Sequence, residues 1–449
     1  MRVVGLPTPG LGDTTWLLTH EGRGVLVDPQ RDVDRFLRAA ADAGARIDVV
    51  VETHVHNDYV SGAPEAARRA GAALLLPAAA GAAYPHELAF HGEDVDVGDG
   101  LVLRPVHTPG HTPEHTSYLA VLDGRVVAVF SGGSLLAGAA GRTDLLGPGP
   151  ARQLAIAQHG SVRRLAALDP AAGLHPTHGA GSFCSSGAAG RSASTVGRER
   201  QDNPVLRHAD PETFADAVLA GVEPYPRYYA AMGPLNRSGP QPLPPPPPRV
   251  GPEALAGNLL VVDARPCTAF AAGHWPGSYG IELSDAFASW VGWLLPFDAP
   301  LVLVLDPDQD DSEAVTALAR IGFDSVSGVL QADDLPPRRS AYRTVDAPGF
   351  AAAMRDGSAR QILDVRAPSE WVDGSVDGAL MRYLPDLVDA VPPLDASEPV
   401  WVGCASGMRA TAAASLLERA GYEPVVLAGA GIPDVAALVA GGAGRTDAD

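Results

Sequence analysis

Residues 48–59 of this chain have the sequence Asp48-Val49-Val50-Val51-Glu52-Thr53-His54-Val55-His56-Asn57-Asp58-Tyr59. The apolar residues at its start predict a buried strand, and the polar residues after them predict a loop at the carboxyl end of that strand. In open α/β sheets, ligands bind beyond the carboxyl ends of strands. Because residues two apart in an extended segment share a face, His54 and His56 suit two ligands of one metal ion.

Two further histidines occupy the same kind of position. His111 follows a Pro-Gly turn, and His178 lies in a His-Pro-Thr-His-Gly segment. Neutral imidazole is the usual protein ligand of zinc and also binds iron. Together with His54 and His56, these residues therefore predict a metal site built from loops at strand ends.

Proline-rich segments divide the chain into folded parts. At 449 residues it is too long for one ordinary hydrophobic core. The prolines within residues 240–248 predict a stiff linker, and a second break falls at residues 335–340. Apolar strand candidates alternate with Ala-rich helical stretches, which predicts an α/β fold. We expect an N-terminal domain, a Pro-rich linker and two smaller domains, at residues 1–237, 238–249, 250–335 and 345–449.

Charge and cysteine content restrict the function. The formal net charge is −20, which argues against nucleic acid or an anionic membrane as a partner. Residues 1–7 contain one basic residue and no long apolar run, so we expect no signal peptide, and no later stretch has transmembrane length. Three cysteines are too few for a disulfide framework and indicate a reducing, cytoplasmic location. A homo-oligomer is compatible with these features.

The second half of the chain contains an internal repeat. Asp263-Ala264-Arg265 recurs 101 residues later as Asp364-Val365-Arg366, and the same offset relates Gly273 to Gly374. A repeat of this length indicates a duplicated domain rather than a solenoid.

The last domain contains the clearest candidate nucleophile. An apolar strand ends in Cys404-Ala405-Ser406-Gly407-Met408-Arg409, and a helix-forming stretch follows. Backbone N–H groups at a strand-to-helix turn favour a thiolate, which is the reactive form of cysteine. The guanidinium of Arg409 suits an anionic sulfur compound. We predict Cys404 and Arg409 as catalytic residues, and Ala405, Ser406, Gly407 and Met408 as substrate-binding residues.

The middle domain lacks this nucleophile. Aligning the apolar strands of the two copies places Leu305 opposite Cys404 and Asp310 opposite Arg409. Leucine has no nucleophilic group, and the acidic residues after it repel anions. We therefore predict that residues 250–335 form a catalytically inactive domain.

Other reactive side chains receive structural interpretations. Cys267 lies outside the loop that contains Cys404 in the other copy, so we interpret it as structural. Cys184 is predicted to be a buried small side chain. Near His111, we expect His107 in the interior and His115 at a helix start or the surface.

Residues 52–62 and Gly141-Arg142-Thr143-Asp144 resemble the persulfide dioxygenase branch of the metallo-β-lactamase superfamily, over about residues 1–237. The Cys-x-x-Gly-x-Arg loop resembles the rhodanese family over about residues 345–440. These resemblances imply an αββα sandwich followed by an inactive and an active rhodanese-like domain. They also imply oxidation of a small persulfide to sulfite, and sulfane-sulfur transfer through Cys404 to sulfite, cyanide or a thiol. Thiosulfate is a further expected sulfur compound.

The resemblance to persulfide dioxygenases also implies a ligand set. In that branch one ferrous ion is held by two histidines and an aspartate, and the histidines correspond to His54 and His111. The other metal-region positions of the superfamily fall on His56, Asp58 and His178. We expect one metal ion, with iron(II) favoured and zinc as the alternative.

Two positions depart from the family pattern. Gly133 stands where the family has its ligating aspartate, and Tyr59 stands where two-metal members have a histidine. Three outcomes follow. His56 completes a three-histidine site with the two iron ligands, Asp58 is recruited as the anionic ligand, or the site binds metal weakly and has lost oxygenase activity.

Two other functions are compatible with the sequence. One is a zinc-dependent hydrolase of the thioesterase kind, such as type II glyoxalase, joined to a sulfurtransferase. The other is a metal-free scaffold that binds persulfides for the last domain. Metal analysis combined with oxygen consumption on glutathione persulfide separates these functions.

Overall fold

The computed structural model describes residues 1–187, 190–337 and 339–442. The chain forms two compact units, the first made of Met1–Pro245 and Thr316–Gly322, and the second of Pro246–Val315 and the residues from Phe323 onward. The repeated segments 263–273 and 364–374 both belong to the second unit. Residues 443–449 of the predicted last domain, and Arg338 in the predicted break before it, lie outside the described residues.

The first sheet of the first unit has six strands. They are β1 (Arg2–Thr8), β2 (Asp13–His20), β3 (Arg23–Val27), β4 (Arg46–Val51), β5 (Ala73–Pro77) and β6 (Glu87–Ala89). They lie in the order β1-β2-β3-β4-β5-β6. The first three pair antiparallel, and the pairs from β3 to β6 are parallel.

The second sheet also has six strands, in the order β14-β12-β10-β9-β8-β7. Two further short strands from the same part of the chain, β11 and β13, form a separate two-stranded sheet. Their bounds are β7 (Val95–Gly98), β8 (Leu101–His107), β9 (Thr116–Leu122), β10 (Arg125–Gly132), β11 (Ala140–Gly141), β12 (Gly173–Pro176), β13 (Ser185–Ser186) and β14 (Ser194–Thr195). β10 and β12 pair parallel, so their carboxyl ends meet at one edge.

Helices cover the outer faces of the two sheets. They are α1 (Asp34–Asp42), α2 (Ala63–Ala70), α3 (Pro148–Ala166), α4 (Val196–Asp202), α5 (Pro211–Ala220) and α6 (Tyr229–Ser238). Successive strand residues point to opposite faces. Leu17 therefore packs with Phe36 of α1, while Leu18 lies in the core between the sheets. Val129 packs with Val162 of α3 on the far side. The layers are αββα, which confirms the predicted fold class.

The candidate site lies where strands of both sheets end. β4 ends at Val51, and His54 follows in the next loop. β12 ends at Pro176, and His178 follows two residues later. His54 and His178 each lie in the loop after a strand that is hydrogen-bonded within its sheet. The sheets therefore fix where the backbone of both residues lies.

The second unit contains two parallel sheets, ordered β16-β15-β17-β18 and β19-β23-β22-β20-β21. Their strands are β15 (Leu260–Asp263), β16 (Tyr279–Gly280), β17 (Leu301–Leu305), β18 (Val326–Gln331), β19 (Arg343–Val345), β20 (Gln361–Asp364), β21 (Leu380–Met381), β22 (Val400–Gly403) and β23 (Pro424–Leu427). The helices are α7 (Cys267–Ala272), α8 (Phe287–Leu294), α9 (Asp311–Arg320), α10 (Ala347–Arg355), α11 (Met408–Arg419) and α12 (Ile432–Gly442). No helix in the described ranges combines the length and apolarity needed to cross a bilayer.

Strand register relates the two copies of the repeat. β17 pairs with β15 in the same register in which β22 pairs with β20. Leu305 therefore takes the position that precedes the loop in the middle domain, as Cys404 does in the last. The equivalence ends there, because Arg409 lies inside α11 whereas Asp310 precedes α9. The helix begins later after the strand in the middle domain than in the last domain. Asp310 and Arg409 therefore do not occupy equivalent positions, which corrects the sequence alignment.

The repeated Asp-x-Arg motif forms a buried ion pair at a strand end. Arg366 donates hydrogen bonds to Asp364 Oδ1 at 3.0 Å, to Asp364 Oδ2 at 2.7 Å and to the carbonyl oxygen of Gly374 at 2.6 Å. Both charged residues are at most 1% exposed. The middle domain has the same contacts between Asp263, Arg265 and Gly273. The motif thus fastens the segment that follows β15 in the middle copy and β20 in the last copy.

Replacing Asp364 with Ala is expected to destabilise the second unit strongly. The substitution leaves the guanidinium of Arg366 buried without its counter-ion, which typically costs about 3–5 kcal/mol. Urea unfolding followed by circular dichroism measures the loss. Arg360→Ala is the matched control, because its pair with Glu398 is exposed and worth about 0–1 kcal/mol. Equal losses in both variants would contradict a structural role of the buried pair.

Candidate metal centre and sulfur-transfer loop

A buried carboxylate ties down the loop after β4. Asp28 follows β3, has a φ of 53° and is fully buried. Its Oδ1 accepts a hydrogen bond from the backbone N–H of Thr53, and its Oδ2 accepts one from Thr53 Oγ1, each at 2.7 Å. Oδ2 also accepts a hydrogen bond from Thr177 Oγ1. Because Thr53 and Thr177 each precede a histidine, Asp28 fixes the start of both histidine loops.

Three imidazoles meet beyond this carboxylate, those of His54, His111 and His178. Their candidate ligand nitrogens lie within 4.8 Å of one another, and each residue is at most 1% exposed. His54 Nε2 and His178 Nε2 are 3.3 Å apart. Two nitrogens that bind one tetrahedral ion at about 2.0–2.1 Å lie about 3.3–3.4 Å apart. The spacing therefore fits a shared ion.

Hydrogen bonds to Nδ1 leave Nε2 available in two of these rings. His111 Nδ1 lies 2.8 Å from the carbonyl oxygen of Arg142, which can only accept. His54 Nδ1 lies 2.8 Å from Thr53 Oγ1, whose own proton is donated to a carboxylate. Both Nδ1 atoms therefore carry the proton, and each Nε2 presents a lone pair. Such outer contacts orient imidazoles that bind metals.

The third ring is held by two carboxylates. His178 Nδ1 lies 2.8 Å from Asp13 Oδ1 and 3.2 Å from Asp58 Oδ2. Asp58 Oδ1 is 3.9 Å from His56 Nδ1. The carboxylate of Asp58 is thus close to the cluster, and its oxygen can be grouped with His56 and His178 as a second set of ligand atoms within 4.8 Å.

His56 lies beside His54, with ring centroids 4.0 Å apart, and can be grouped with His54 and Asp28 as a further set of ligand atoms within 4.8 Å. Its Nε2 lies 2.8 Å from Glu52 Oε2 and 3.3 Å from Asp28 Oδ1. Its ring stacks on Tyr59 at a centroid distance of 4.3 Å. Among the described residues, His178 is the third imidazole that is grouped with His54 and His111. The sequence alternative in which His56 completes that set is not the grouping found.

The absence of a side chain at Gly133 makes room for His111. A Cβ atom at position 133 would lie 2.2 Å from Cδ2 of that imidazole, far inside van der Waals contact. The backbone N–H of Gly133 donates to His115 Nε2 at 2.9 Å. The space of the missing aspartate is therefore filled by the histidine ring itself, and no carboxylate enters from this strand end.

Burial and nearby charges set the protonation of the cluster. Burial and the neighbouring histidines hold the pKa of His54 and of His111 well below the usual value. The neutral imidazole that results is the form that binds metal. Burial opposes a charge on His178 as well, but Asp58 and Asp13 raise its pKa to about 9. Burial raises the pKa of Glu52 to about 7.

These donors fit one transition-metal ion. His111 Nε2 is buried and has no hydrogen-bond partner among the described residues. Three imidazole nitrogens with an adjacent carboxylate suit zinc or iron. A cavity of about 10 Å³, the size of one water molecule, adjoins His54 and is also lined by Tyr84. A molecule larger than water does not fit into this cavity.

Several neighbouring residues differ from their sequence interpretation. His115 is fully buried, whereas His107 is exposed, so both predictions for them were wrong. The sequence does not identify Asn236, whose Nδ2 donates to the carbonyl oxygens of His56 at 2.9 Å and Tyr59 at 2.8 Å. No local pattern marks Asn236, because its partners lie 180 and 177 residues away. Asp28 could have been identified as a candidate site residue from the sequence, because it directly follows a buried strand. Cys184 is buried, as predicted.

The loop that contains Cys404 joins β22 to α11 in the second unit. The backbone N–H of Gly407 donates to Cys404 Sγ at 3.1 Å. Gly407 has a φ of 102°, a left-handed conformation that favours glycine. Ala405 and Ser406 are exposed, while Cys404 is buried beneath them. The thiol thus lies against main-chain amide groups at the amino end of a helix, and not among apolar side chains alone.

The guanidinium of Arg409 is already occupied. Its Nη2 donates to Glu370 Oε1 at 2.8 Å, and its Nη1 contacts Glu370 Oε2. The interaction is bidentate, and the Arg409 side chain is 17% exposed. A carboxylate of the chain itself thus contacts this fork, and the expectation that Arg409 binds an anionic sulfur compound stays a prediction.

Two family models match this chain. The one described as the metallo-beta-lactamase superfamily matches residues 8–178, and the one described as a rhodanese-like domain matches residues 347–437. The crystal structure of a metallo-beta-lactamase from Staphylococcus aureus subsp. aureus COL is similar, with a TM-score of 0.65 and 28% identity. The match covers 74% of this chain and 99% of that one.

Two curated relatives are similar to part of the chain. A protein named "Probable metallo-hydrolase" from Burkholderia pseudomallei is 32% identical over 265 residues, which cover 49% of this chain and 87% of the relative. A hydroxyacylglutathione hydrolase from Acidiphilium cryptum is 37% identical over 166 residues, which cover 36% of this chain and 63% of that protein.

Substitution of His178 with Ala is expected to remove bound metal as effectively as His54→Ala, because both nitrogens belong to the same three-imidazole set. His56→Gln is the matched variant and should retain most of the metal, since His56 faces carboxylates instead. Elemental analysis of anaerobically purified full-length proteins measures the metal content, with circular dichroism as the check on folding. Metal loss in a folded His56→Gln protein together with retention in His178→Ala would contradict this assignment.

Proposed function

Since the chain belongs to the metallo-β-lactamase superfamily and ends in a rhodanese-like domain, we propose that it is a sulfur-handling enzyme with two stations. The first oxidises a low-molecular-weight persulfide to sulfite at one metal ion. The second transfers sulfane sulfur through a persulfide on Cys404, to sulfite or a thiol. Joining the stations in one chain raises the local concentration of shared intermediates.

The contact between Gly407 and Cys404 is the observation that carries the second station. When sulfur leaves the Cys404 persulfide, Sγ departs with the bonding electrons and becomes a thiolate. The N–H of Gly407 points at that atom from 3.1 Å, and the amino end of α11 adds a favourable dipole. Both stabilise the leaving thiolate.

Arg409 supports the same loop from within. Its bidentate pair with Glu370 anchors the first turn of α11 to the segment after β20. A charge-assisted pair of this geometry has a fixed direction. We therefore assign Arg409 and Glu370 to positioning the loop around Cys404, and not to direct contact with an anionic substrate.

At the first station, His54, His111 and His178 would hold the ion, with Asp58 next to His178. Iron(II) is favoured, and when bound it would supply activation of oxygen. The chain's own residues offer a proton site, because Glu52 Oε2 lies 2.8 Å from His56 Nε2 and burial raises the pKa of Glu52 to about 7. Since the cluster is closed, binding of a persulfide requires the loops around His54 to open.

Hydrolysis of a thioester is the second candidate for this station. The similarity to a hydroxyacylglutathione hydrolase and to a metallo-hydrolase favours it. Against a two-metal hydrolase stand Gly133, which offers no bridging carboxylate, and Tyr59, whose hydroxyl donates to the backbone oxygen of Asp28 at 3.2 Å.

The two candidates differ in what they consume. Protein purified anaerobically and loaded with iron(II) is expected to take up oxygen and release sulfite when glutathione persulfide is added, and to leave S-lactoylglutathione intact. His54→Ala should abolish the uptake because it removes a ligand. Thioester hydrolysis without oxygen uptake would replace the dioxygenase by a hydrolase, and the absence of bound metal in active sulfur-transfer protein would favour a persulfide-binding scaffold.

Cys404→Ser should abolish sulfane-sulfur transfer to cyanide, since a hydroxyl oxygen cannot form the persulfide. The rate with a persulfide donor is expected to fall at least about a thousandfold, as for loss of a covalent nucleophile. Cys184→Ser, which changes a thiol in the other unit, should leave the transfer rate unchanged. Transfer that survives in Cys404→Ser, or is lost in Cys184→Ser, would show that the nucleophile is misassigned.

A further inference from the structure

The second unit encloses a cavity of about 210 Å³ beside the Cys404 loop. The middle domain and the last domain both line it. Its walls are formed by Cys267, Thr268, Glu282, Thr344, Ser406, Gly407, Met408, Thr411, Val426, Ala428 and Gly429. The volume suits a molecule of a few non-hydrogen atoms rather than a large cofactor.

The catalytic loop forms one side of this cavity. Ser406, Gly407 and Met408 are among its lining residues, and the N–H of Gly407 is the group that bonds Cys404 Sγ. The middle domain reaches the same loop, because Ser284 Oγ lies 3.5 Å from Met408 Sδ. A small molecule in the cavity therefore contacts the loop whose backbone N–H at Gly407 bonds the Cys404 sulfur.

Among the described residues that line the cavity, Glu282 is the one that is charged at neutral pH. One of its oxygens accepts a hydrogen bond from the backbone N–H of Cys267 at 3.0 Å. Burial, together with the hydrogen bond to Glu282, raises the pKa of the Cys267 thiol to about 12, so this thiol stays protonated. Arg409, which follows the loop, is paired with Glu370. Among the described residues that line it, the cavity thus has an acidic group and no basic one.

We infer that this cavity binds a small aminothiol as the acceptor of sulfane sulfur from Cys404, and that Glu282 of the middle domain binds its ammonium group. The inference rests on the proposed transfer through Cys404. A carboxylate here attracts an ammonium and repels sulfite or thiosulfate. The middle domain, which lacks a nucleophile, then contributes the residue that selects the acceptor.

The transfer itself balances without a redox partner. The sulfur of the acceptor thiol bonds to the outer sulfur of the Cys404 persulfide. The bond between that outer sulfur and Cys404 Sγ breaks, and Sγ keeps the electron pair and takes up the thiol proton of the acceptor. The products are the persulfide of the aminothiol and the free Cys404 thiol. Cys267 is a neutral wall of the cavity in this step and carries no sulfur.

Binding of unreactive analogues to the full-length protein tests the assignment. 2-(Methylthio)ethylamine carries an ammonium, and 3-(methylthio)propionate carries a carboxylate on a similar frame. Titration calorimetry should give at least about tenfold tighter binding of the amine, the size of one charge-assisted hydrogen bond. Glu282→Gln should remove the preference, because it keeps the shape of the side chain and loses the charge. Glu313→Gln, an exposed glutamate of the same domain, is the matched control and should keep it.

Single-turnover transfer from the Cys404 persulfide supplies a second measurement. The rate ratio of cysteamine to 3-mercaptopropionate should exceed about ten in the wild type and fall toward one in Glu282→Gln, a change that general loosening of the fold would not produce. An unchanged ratio in the variant, or no preference in binding, overturns the assignment even if transfer to thiols persists. Absence of transfer to every thiol and to cyanide overturns the relay through Cys404, and with it the acceptor site.

Discussion

The carboxylate of Asp28 holds the candidate metal centre together. It is fully buried and accepts hydrogen bonds from Thr53 and Thr177, residues that immediately precede His54 and His178. Hydrogen bonds to a charged group contribute about 1.5–3 kcal/mol each. Burial opposes ionisation of Asp28, but the charge of His56 keeps its pKa below the usual range. Two loops from different sheets are thus fastened to one ionised group, and the imidazoles that follow them have little freedom.

That constraint explains how the cluster persists without the aspartate that the family places at position 133. The ring of His111 occupies the space that a side chain on Gly133 would need, and the carbonyl oxygen of Arg142 fixes its orientation. His178 enters from the opposite sheet, oriented by Asp13. Three imidazoles thus meet at the centre, and the carboxylates of Asp13 and Asp58 contact the outer nitrogen of His178. A centre of this composition carries one negative charge fewer than a site with two histidines and a carboxylate, which changes both metal preference and redox chemistry.

The second unit contains two copies of one domain that differ in the loop after the central strand. Both copies keep the Asp-x-Arg pair that fastens the segment after β15 and after β20, since this pair serves the fold. Cys404 of the last copy corresponds to Leu305 of the middle one. The middle copy contributes Cys267 and Glu282 to the cavity beside the loop of the last copy. The loop can differ between the copies because the scaffold depends on other residues.

The sequence by itself determined the α/β class, the repeat, the loop around Cys404 and the four histidines near strand ends, because each depends on short segments in which spacing encodes direction. Only the tertiary structure decided that His178 rather than His56 joins His54 and His111, that His115 is buried and His107 exposed, and that Glu370 occupies the fork of Arg409. The tertiary structure also brought Asp28 and Asn236 to the histidine cluster and Cys267 to the cavity beside the Cys404 loop. No local sequence pattern predicts the positions of Asn236 and Cys267. The physical reason is the same in each case. A local pattern fixes where the backbone ends a strand, whereas the direction of a polar side chain depends on partners that are far away in the chain and meet it only when the core has formed.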